Sequence, residues 1–275
     1  MTLPPSHRAV RLALMSALVS ASAGCEGHAE PRPEDATIVR ERGATLPRST
    51  EPEPGAQLVP VVVELFSSEG CSSCPPADRV LAELASKQTI PGARILPLEL
   101  HVDYWNDLGW VDPFSAEAYS DRQRAYAALA SRGGVYTPEV VVDGEGSLVG
   151  SDASAIADAI GRAARRPHVT IGLARHGDAI DATLGAAVPG ASLWIAVTES
   201  GLETHVPSGE NRGATLRHAP VVRAFERVGA AHEGTSTLRV PRVQDAHGPL
   251  AATVLVQMDE ARAILGAARI DLAAE

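Results

Sequence analysis

The chain has 275 residues, with 24 Lys and Arg against 34 Asp and Glu, for a formal net charge of -10. This acidic balance, with no basic run to neutralise phosphates, argues against nonspecific nucleic-acid binding. The length allows one large core or two modest ones.

The first 25 residues read as an export signal. Arg8 and Arg11 precede an apolar stretch from Leu12 to Gly24 that is short for a retained membrane span. The run Ser22-Ala23-Gly24-Cys25 resembles a bacterial lipobox, with Ser22 where that motif prefers Leu, and makes Cys25 the expected lipidation site. Residues 26–57 are rich in Pro, Glu, Arg and Ala and read as a disordered tether. The expected destination is the periplasm or the outer membrane as a lipoprotein, or secretion, with membrane contact only through the N-terminal lipid anchor.

Order is expected from Leu58. The β-branched run Leu58 to Phe66 lacks strict alternation, as suits a central strand covered on both faces. Pro75 to Ala85 places Val80, Leu81 and Leu84 on one helical face, with Pro75 and Pro76 in the first turn where a missing N–H leaves nothing unsatisfied. Arg94 to Val102 is a second strand, completing a βαβ unit. Ser115 to Ser131 reads as a helix, Val135 to Gly144 as a proline-led strand ending in an Asp-Gly turn, and Asp152 to Ala164 as a helix with Ile156 and Ile160 inward.

Arg165-Arg166-Pro167 separates residues 58–166 from a region of different period, 167–275. Val169 to Leu173 and Leu193 to Val197 alternate, Ala251 to Met258 is another strand candidate, and Pro220 to Val228 looks helical. The second region is expected to be a mostly antiparallel β domain.

Cys71-Ser72-Ser73-Cys74 lies where the first strand turns into the first helix. Two cysteines at this spacing come within disulfide reach when the first lies at a helix start, and free N–H groups of the first turn would favour a thiolate. Cys71 would then attack a substrate disulfide and Cys74 resolve the mixed disulfide. Glu69 acts the opposite way if its carboxylate points inward. A structural zinc site wants four ligands, usually with a second close cysteine pair, and none exists here. Two alternatives stay open: an inert local disulfide, and a copper site of both thiols with a nearby histidine. Exchange chemistry predicts an exposed Cys71 with a depressed pKa; a clasp predicts a buried bond that resists reduction.

The stretch Glu64 to Asp78, His101-Val102-Asp103-Tyr104-Trp105 through Gly109-Trp110, Val135-Tyr136-Thr137-Pro138 and Gly209-Glu210-Asn211-Arg212-Gly213 resembles the DUF1223 family of thioredoxin-like secreted proteins. The resemblance covers roughly residues 58 to 270. It implies a thioredoxin-like fold and no established reaction. In the wider thioredoxin-like superfamily a cis-proline faces the dithiol, and Thr137-Pro138 matches that feature by position. This chain lacks thioredoxin's Trp before the first cysteine and its Gly-Pro between the two.

Tyr104, Trp105 and Trp110 follow a strand on the edge that would hold Cys71, so with Glu69 and Thr137 they are candidates for a substrate groove, His101 or Asp103 being available as a proton relay. A satellite core fastening the loop is the competing reading. Glu210, Asn211 and Arg212 mark a polar loop at the boundary between the halves. His205 and His218 match no strong metal spacing, so no metal or cofactor is assigned.

The expected architecture is an α/β thioredoxin-like domain followed by a mostly antiparallel β domain. The expected function is thiol–disulfide exchange in the cell envelope with protein or small-molecule thiols and disulfides as partners. The alternative is a non-enzymatic envelope protein binding copper or a protein ligand.

Overall fold

The computed structural model describes residues 58–272, Ala261 apart, so the expected export signal, the expected lipidation site Cys25 and the expected tether lie outside the described residues. Strand β1 (Val59–Ser67), helix α1 (Pro75–Lys87) and strand β2 (Ala93–His101) form the expected βαβ unit, with β1 and β2 parallel from Val59↔Ala93 to Ser67↔His101. A 3-10 turn (Asn106–Leu108) leads into α2 (Glu117–Leu129). Then come β3 (Glu139–Val142), the Asp143-Gly144 turn, β4 (Glu145–Val149) and α3 (Ala153–Ala163), the last capped by the Asp152 carboxylate accepting from the Ala155 N–H.

Period two explains the layering. Val61, Val63 and Leu65 point to a core with Leu81 and Leu84 of α1 and Ile156 and Ile160 of α3. Val62 and Phe66 point the other way, to a core with Leu96, Leu98, Leu100 and the α2 residues Tyr119 and Tyr126. Strand β1 is therefore covered on both faces, as its apolar run, interrupted by Glu64, predicts.

The second half supplies β5 (Ile171–His176), β6 (Ala179–Leu184), β7 (Ala191–Glu199), β8 (Glu203–His205), β9 (Thr215–Arg217), β10 (Val221–Ala230), β11 (Gly234–Arg239), β12 (Leu250–Met258) and β13 (Ile264–Leu272). Strands β5, β6 and β11 make a three-stranded sheet packed on Leu193, Ile195, Val254 and Val256. The two halves share one eight-stranded sheet in the order β13-β12-β7-β10-β2-β1-β3-β4. Only the β1–β2 and β2–β10 pairings are parallel. The architecture is thus mixed α/β with a large, mostly antiparallel sheet and three α-helices among the described residues. None of these helices is long and apolar enough to cross a membrane.

The helix expected over Pro220 to Val228 is instead strand β10. Its three-four spacing is overridden by tertiary pairing: Val221 and Val222 slot between β7 and the open edge of β2, where backbone hydrogen bonds and burial outweigh a weak helical pattern. The short contact Val221↔Glu99, with the Glu99 N–H donating to the Pro220 carbonyl at 3.0 Å, carries β2 into the second half of the chain.

Candidate functional site: the Cys71–Cys74 turn and the buried cluster beneath it

Cys71 and Cys74 are disulfide-bonded, with Cα atoms 5.4 Å apart. The chain leaves β1 at Ser67 and turns: the Cys71 N–H donates to the Ser68 carbonyl, and the Cys74 N–H to the Cys71 carbonyl, both at 3.1 Å. Cys74, rather than Cys71, is the N-cap of α1. Because Pro75 and Pro76 lack N–H groups, the first donors of the helix are those of Ala77 and Asp78, and both already donate to the Cys74 carbonyl, at 2.8 and 3.1 Å. The expected set of free first-turn donors is therefore not there for a Cys71 thiolate. The hydroxyl nearest its sulfur is that of Ser73, at 3.3 Å.

The expected exposure of Cys71 is not found either: both cysteines are 0% exposed, while Ser72 and Ser73 lie at the surface. The cover comes from the second half. Strands β8 and β9 form a two-stranded ribbon whose tip, residues 206–214, reaches over the turn. Asn211 Nδ2 donates to the carbonyls of Glu69 and Cys71 at 2.8 and 3.0 Å, and the Ser72 N–H donates to Glu210 Oε2 at 3.0 Å. The Ser72 hydroxyl first, and then this N–H, hold the Glu210 carboxyl below its ordinary pKa. Ser208 Oγ donates to the Gly109 carbonyl at 2.7 Å. The close approach needs a glycine at 209, where φ is +77° and a Cβ would meet that of Trp110 at 3.0 Å. The polar boundary loop expected from sequence is thus a strap across the dithiol; Glu210 and Asn211 do the fastening and Arg212 is exposed.

Pro138 takes the cis form after Thr137 and is buried next to Glu139, which pairs with Phe66 at the end of β1. Trp105 Nε1 donates to Thr137 Oγ1 at 2.8 Å, and Tyr104 donates its hydroxyl to Gln123 Oε1 at 3.1 Å. Both rings pack on the α2-side core. Asp103 accepts from Ser120 Oγ at 2.5 Å, tying the loop to α2. These contacts fasten the aromatic loop. A cleft of about 630 Å³ lies elsewhere, at the N-terminal ends of β1 and β2, lined by Leu58, Arg94, Val169 and Ala267.

Below the turn sits a buried ionisable cluster. Glu69 points inward: its carboxylate accepts from Trp110 Nε1 at 2.7 Å and pairs with His218 Nε2 at 3.1 Å. His218 Nδ1 faces Glu99 Oε1 at 3.3 Å, and the same oxygen meets His101 Nε2 at 3.0 Å. His101 Nδ1 faces Asp112 Oδ2 at 2.7 Å, and that oxygen also accepts the Glu69 N–H at 2.8 Å. Glu99 and His101 lie on the α1 side of β2 because Leu98 and Leu100 take the other face. On the same side, Ser67 Oγ donates to Asp78 at 2.7 Å, one turn of α1 beyond Cys74.

The electrostatics follow from this geometry. Burial alone would lower both imidazoles, but Asp112 and Glu99 hold His101 well above its ordinary pKa, and Glu69 and Glu99 lift His218 to about 9. Burial would raise Glu99 and Asp112, but the histidines facing them keep both below the ordinary carboxylate range. Asp78 is different: burial, then the Glu99 charge, push it up to about 8 against the Ser67 hydrogen bond.

Of the residues expected from sequence, the fold gathers Cys71, Cys74, Glu69, His101, Glu210 and Asn211 at this one corner. Glu99, Asp112, Asp78 and His218 complete it, and sequence reasoning did not select the first three. The signal was the alternation Leu98-Glu99-Leu100-His101, which puts charged groups on a strand otherwise buried on both faces. His205, considered with His218, is exposed on β8.

No curated protein matches the chain. The crystal structure of protein AGR_C_4864 from Agrobacterium tumefaciens is similar at 29% identity with a TM-score of 0.62, covering 78% of this chain and 95% of that one. The family model described as "Protein of unknown function (DUF1223)" matches residues 62–257, spanning the dithiol turn, the aromatic loop and the strap. The chain belongs to the DUF1223 family.

Proposed function

We propose that Cys71 and Cys74 form a strapped thiol–disulfide exchange centre in an exported protein, set in a thioredoxin-like unit. The order β1-α1-β2, the β3–β4 hairpin and α3 supports that reading of the first half, as does the strand-to-helix turn that holds the pair. The observation that carries the proposal is the very short span of the bond, three residues apart in sequence. Closing so small a loop removes little unfolded-chain entropy, about 2 kcal/mol, well below the return from a long-range staple. The bond thus supplies little as a brace, whereas it sits directly over a built cluster of proton-bearing groups.

In the oxidised form, once the 206–214 strap has lifted from the buried sulfurs, a substrate thiolate attacks Cys71 Sγ, the Cys71–Cys74 bond breaks, and Cys74 leaves as thiolate. A second substrate thiolate then attacks the substrate sulfur and releases Cys71, so the substrate becomes a disulfide and the pair takes up two electrons. In reverse, Cys71 attacks a substrate disulfide and Cys74 resolves the intermediate. A pair that lacks free helix donors gains little from ionising when reduced, so the couple belongs at the reducing end of the exchange range rather than among strong oxidants.

One observation favours the second reading, a structural clasp in an envelope binding protein: the sulfurs are buried beneath the strap. The copper variant of that reading needs both thiols free, and here they are joined in the Cys71–Cys74 bond.

Equilibration with glutathione and dithiothreitol buffers separates the readings. An exchange centre reaches equilibrium at a potential above about -300 mV, loses turnover in Cys71→Ser and accumulates a mixed disulfide in Cys74→Ser. A potential far below that value, with no exchange, overturns the proposal.

A further inference from the structure

Glu99, His101 and His218, all fully or almost fully buried, each offer a donor atom within 4.8 Å of the others, and Glu99 Oε1 lies 3.0 Å from His101 Nε2 and 3.3 Å from His218 Nδ1. Two histidines and one carboxylate gathered this closely are a donor set for a divalent transition ion. What distinguishes this trio from an ordinary buried ion-pair cluster is its outer ring. The second nitrogen of each histidine is held by its own carboxylate, His101 Nδ1 by Asp112 at 2.7 Å and His218 Nε2 by Glu69 at 3.1 Å. Those carboxylates are anchored in turn, Asp112 by the N–H groups of Glu69 and Phe114, and Glu69 by the Trp110 indole. Outer carboxylates of this kind fix the orientation of metal-binding imidazoles and raise their basicity.

A second observation points to the same place. Glu99 Oε2 is buried and has no hydrogen-bond partner. A buried carboxylate oxygen without a partner is costly unless something occupies the space it faces, and a bound cation would use it. Charge is conserved in the exchange, since one doubly charged ion replaces the two protons that the ligating nitrogens otherwise direct at Glu99.

We propose that Glu99, His101 and His218 form a Zn²⁺ site beneath the dithiol, with Asp112 and Glu69 as its orienting carboxylates. The two nitrogen donors and the single carboxylate suit zinc, and the hard oxygen-only sets preferred by magnesium and calcium do not occur here. The site takes one ligand from the end of β2 on either side of Leu100 and the third from the segment that enters β10, so the β2–β10 pairing is what assembles it. It does not depend on whether the cysteine pair exchanges.

The test uses the chain with its disulfide intact, so that thiolates cannot contribute ligands, equilibrated by dialysis against Co²⁺ as a spectroscopic stand-in and then Zn²⁺. The expected result is one ion per chain, visible d–d bands of low-symmetry Co²⁺ without a sulfur charge-transfer band, and displacement by Zn²⁺. Glu99→Gln should abolish the bands, and Asp112→Asn, which leaves all three ligands in place, should weaken binding by about 10- to 100-fold. His205→Ala, on the exposed ribbon, should change nothing. Thermal melts of each variant establish that it is folded. Absence of bound ion in the folded wild type, or binding unchanged in folded Glu99→Gln and Asp112→Asn, overturns the site.

Discussion

Replacing Asp78 by asparagine isolates one buried proton. Asp78 is almost completely buried, and its pKa rises from 3.8 to about 8, first through burial and then through the Glu99 charge. A folded pKa above the unfolded one means that the native state holds a proton that the unfolded chain has released. The corresponding stability is fully present below about pH 4 and is lost as pH rises toward about 8. Inside that window the loss is about 1.4 kcal/mol per pH unit, hence ~2.7 kcal/mol over two units. The substituted amide cannot titrate and keeps an oxygen for the Ser67 hydroxyl, so the wild-type value minus the Asp78→Asn value removes most other titrations. Urea unfolding at a series of pH values, with the disulfide intact, measures it. A difference that stays flat across the window would show that Asp78 carries its charge in the fold, and the account of the cluster would then be wrong.

Asn211→Ala removes two donors from the carbonyls of Glu69 and Cys71, and should destabilise the protein by about 1 kcal/mol while speeding reduction of the disulfide by dithiothreitol severalfold. An unchanged reduction rate would mean that the strap does not limit access. Trp105→Ala empties a half-buried site packed on the α2-side core and breaks the bond to Thr137, with an expected loss of about 3 kcal/mol and no change in Cys71 exchange in the folded protein. The opposite outcome, slowed exchange without lost stability, would put Trp105 in a substrate groove.

Legibility in the sequence tracked how local the physics was. The run from Val61 to Phe66, the Pro75-Pro76 helix start and the Ile156/Ile160 face were readable because each is decided by its own neighbours. The Thr137-Pro138 position was readable through the family resemblance. Pro220 to Val228 was misread because its state is set by an edge of β2 far away in the chain, and the strands β6, β8, β9, β11 and β13 were missed in a region of weak period. At the site, the cysteines announced themselves by spacing, but the first-turn donors were miscounted: two prolines that start a helix well also strip it of free N–H groups. The buried cluster draws on residues 69, 99, 101, 112 and 218, and no local pattern reports that these meet.

The parallel contact between β2 and β10 has a consequence for how the chain must be made. During synthesis β1, α1 and β2 emerge long before β10, and until it arrives β2 presents a bare hydrogen-bonding edge at Glu99, whose N–H later donates to the Pro220 carbonyl. Such an edge invites pairing with other chains. Folding therefore waits on a late, nonlocal strand, and a fragment ending at residue 166 would be a sticky half-sheet rather than a working redox module.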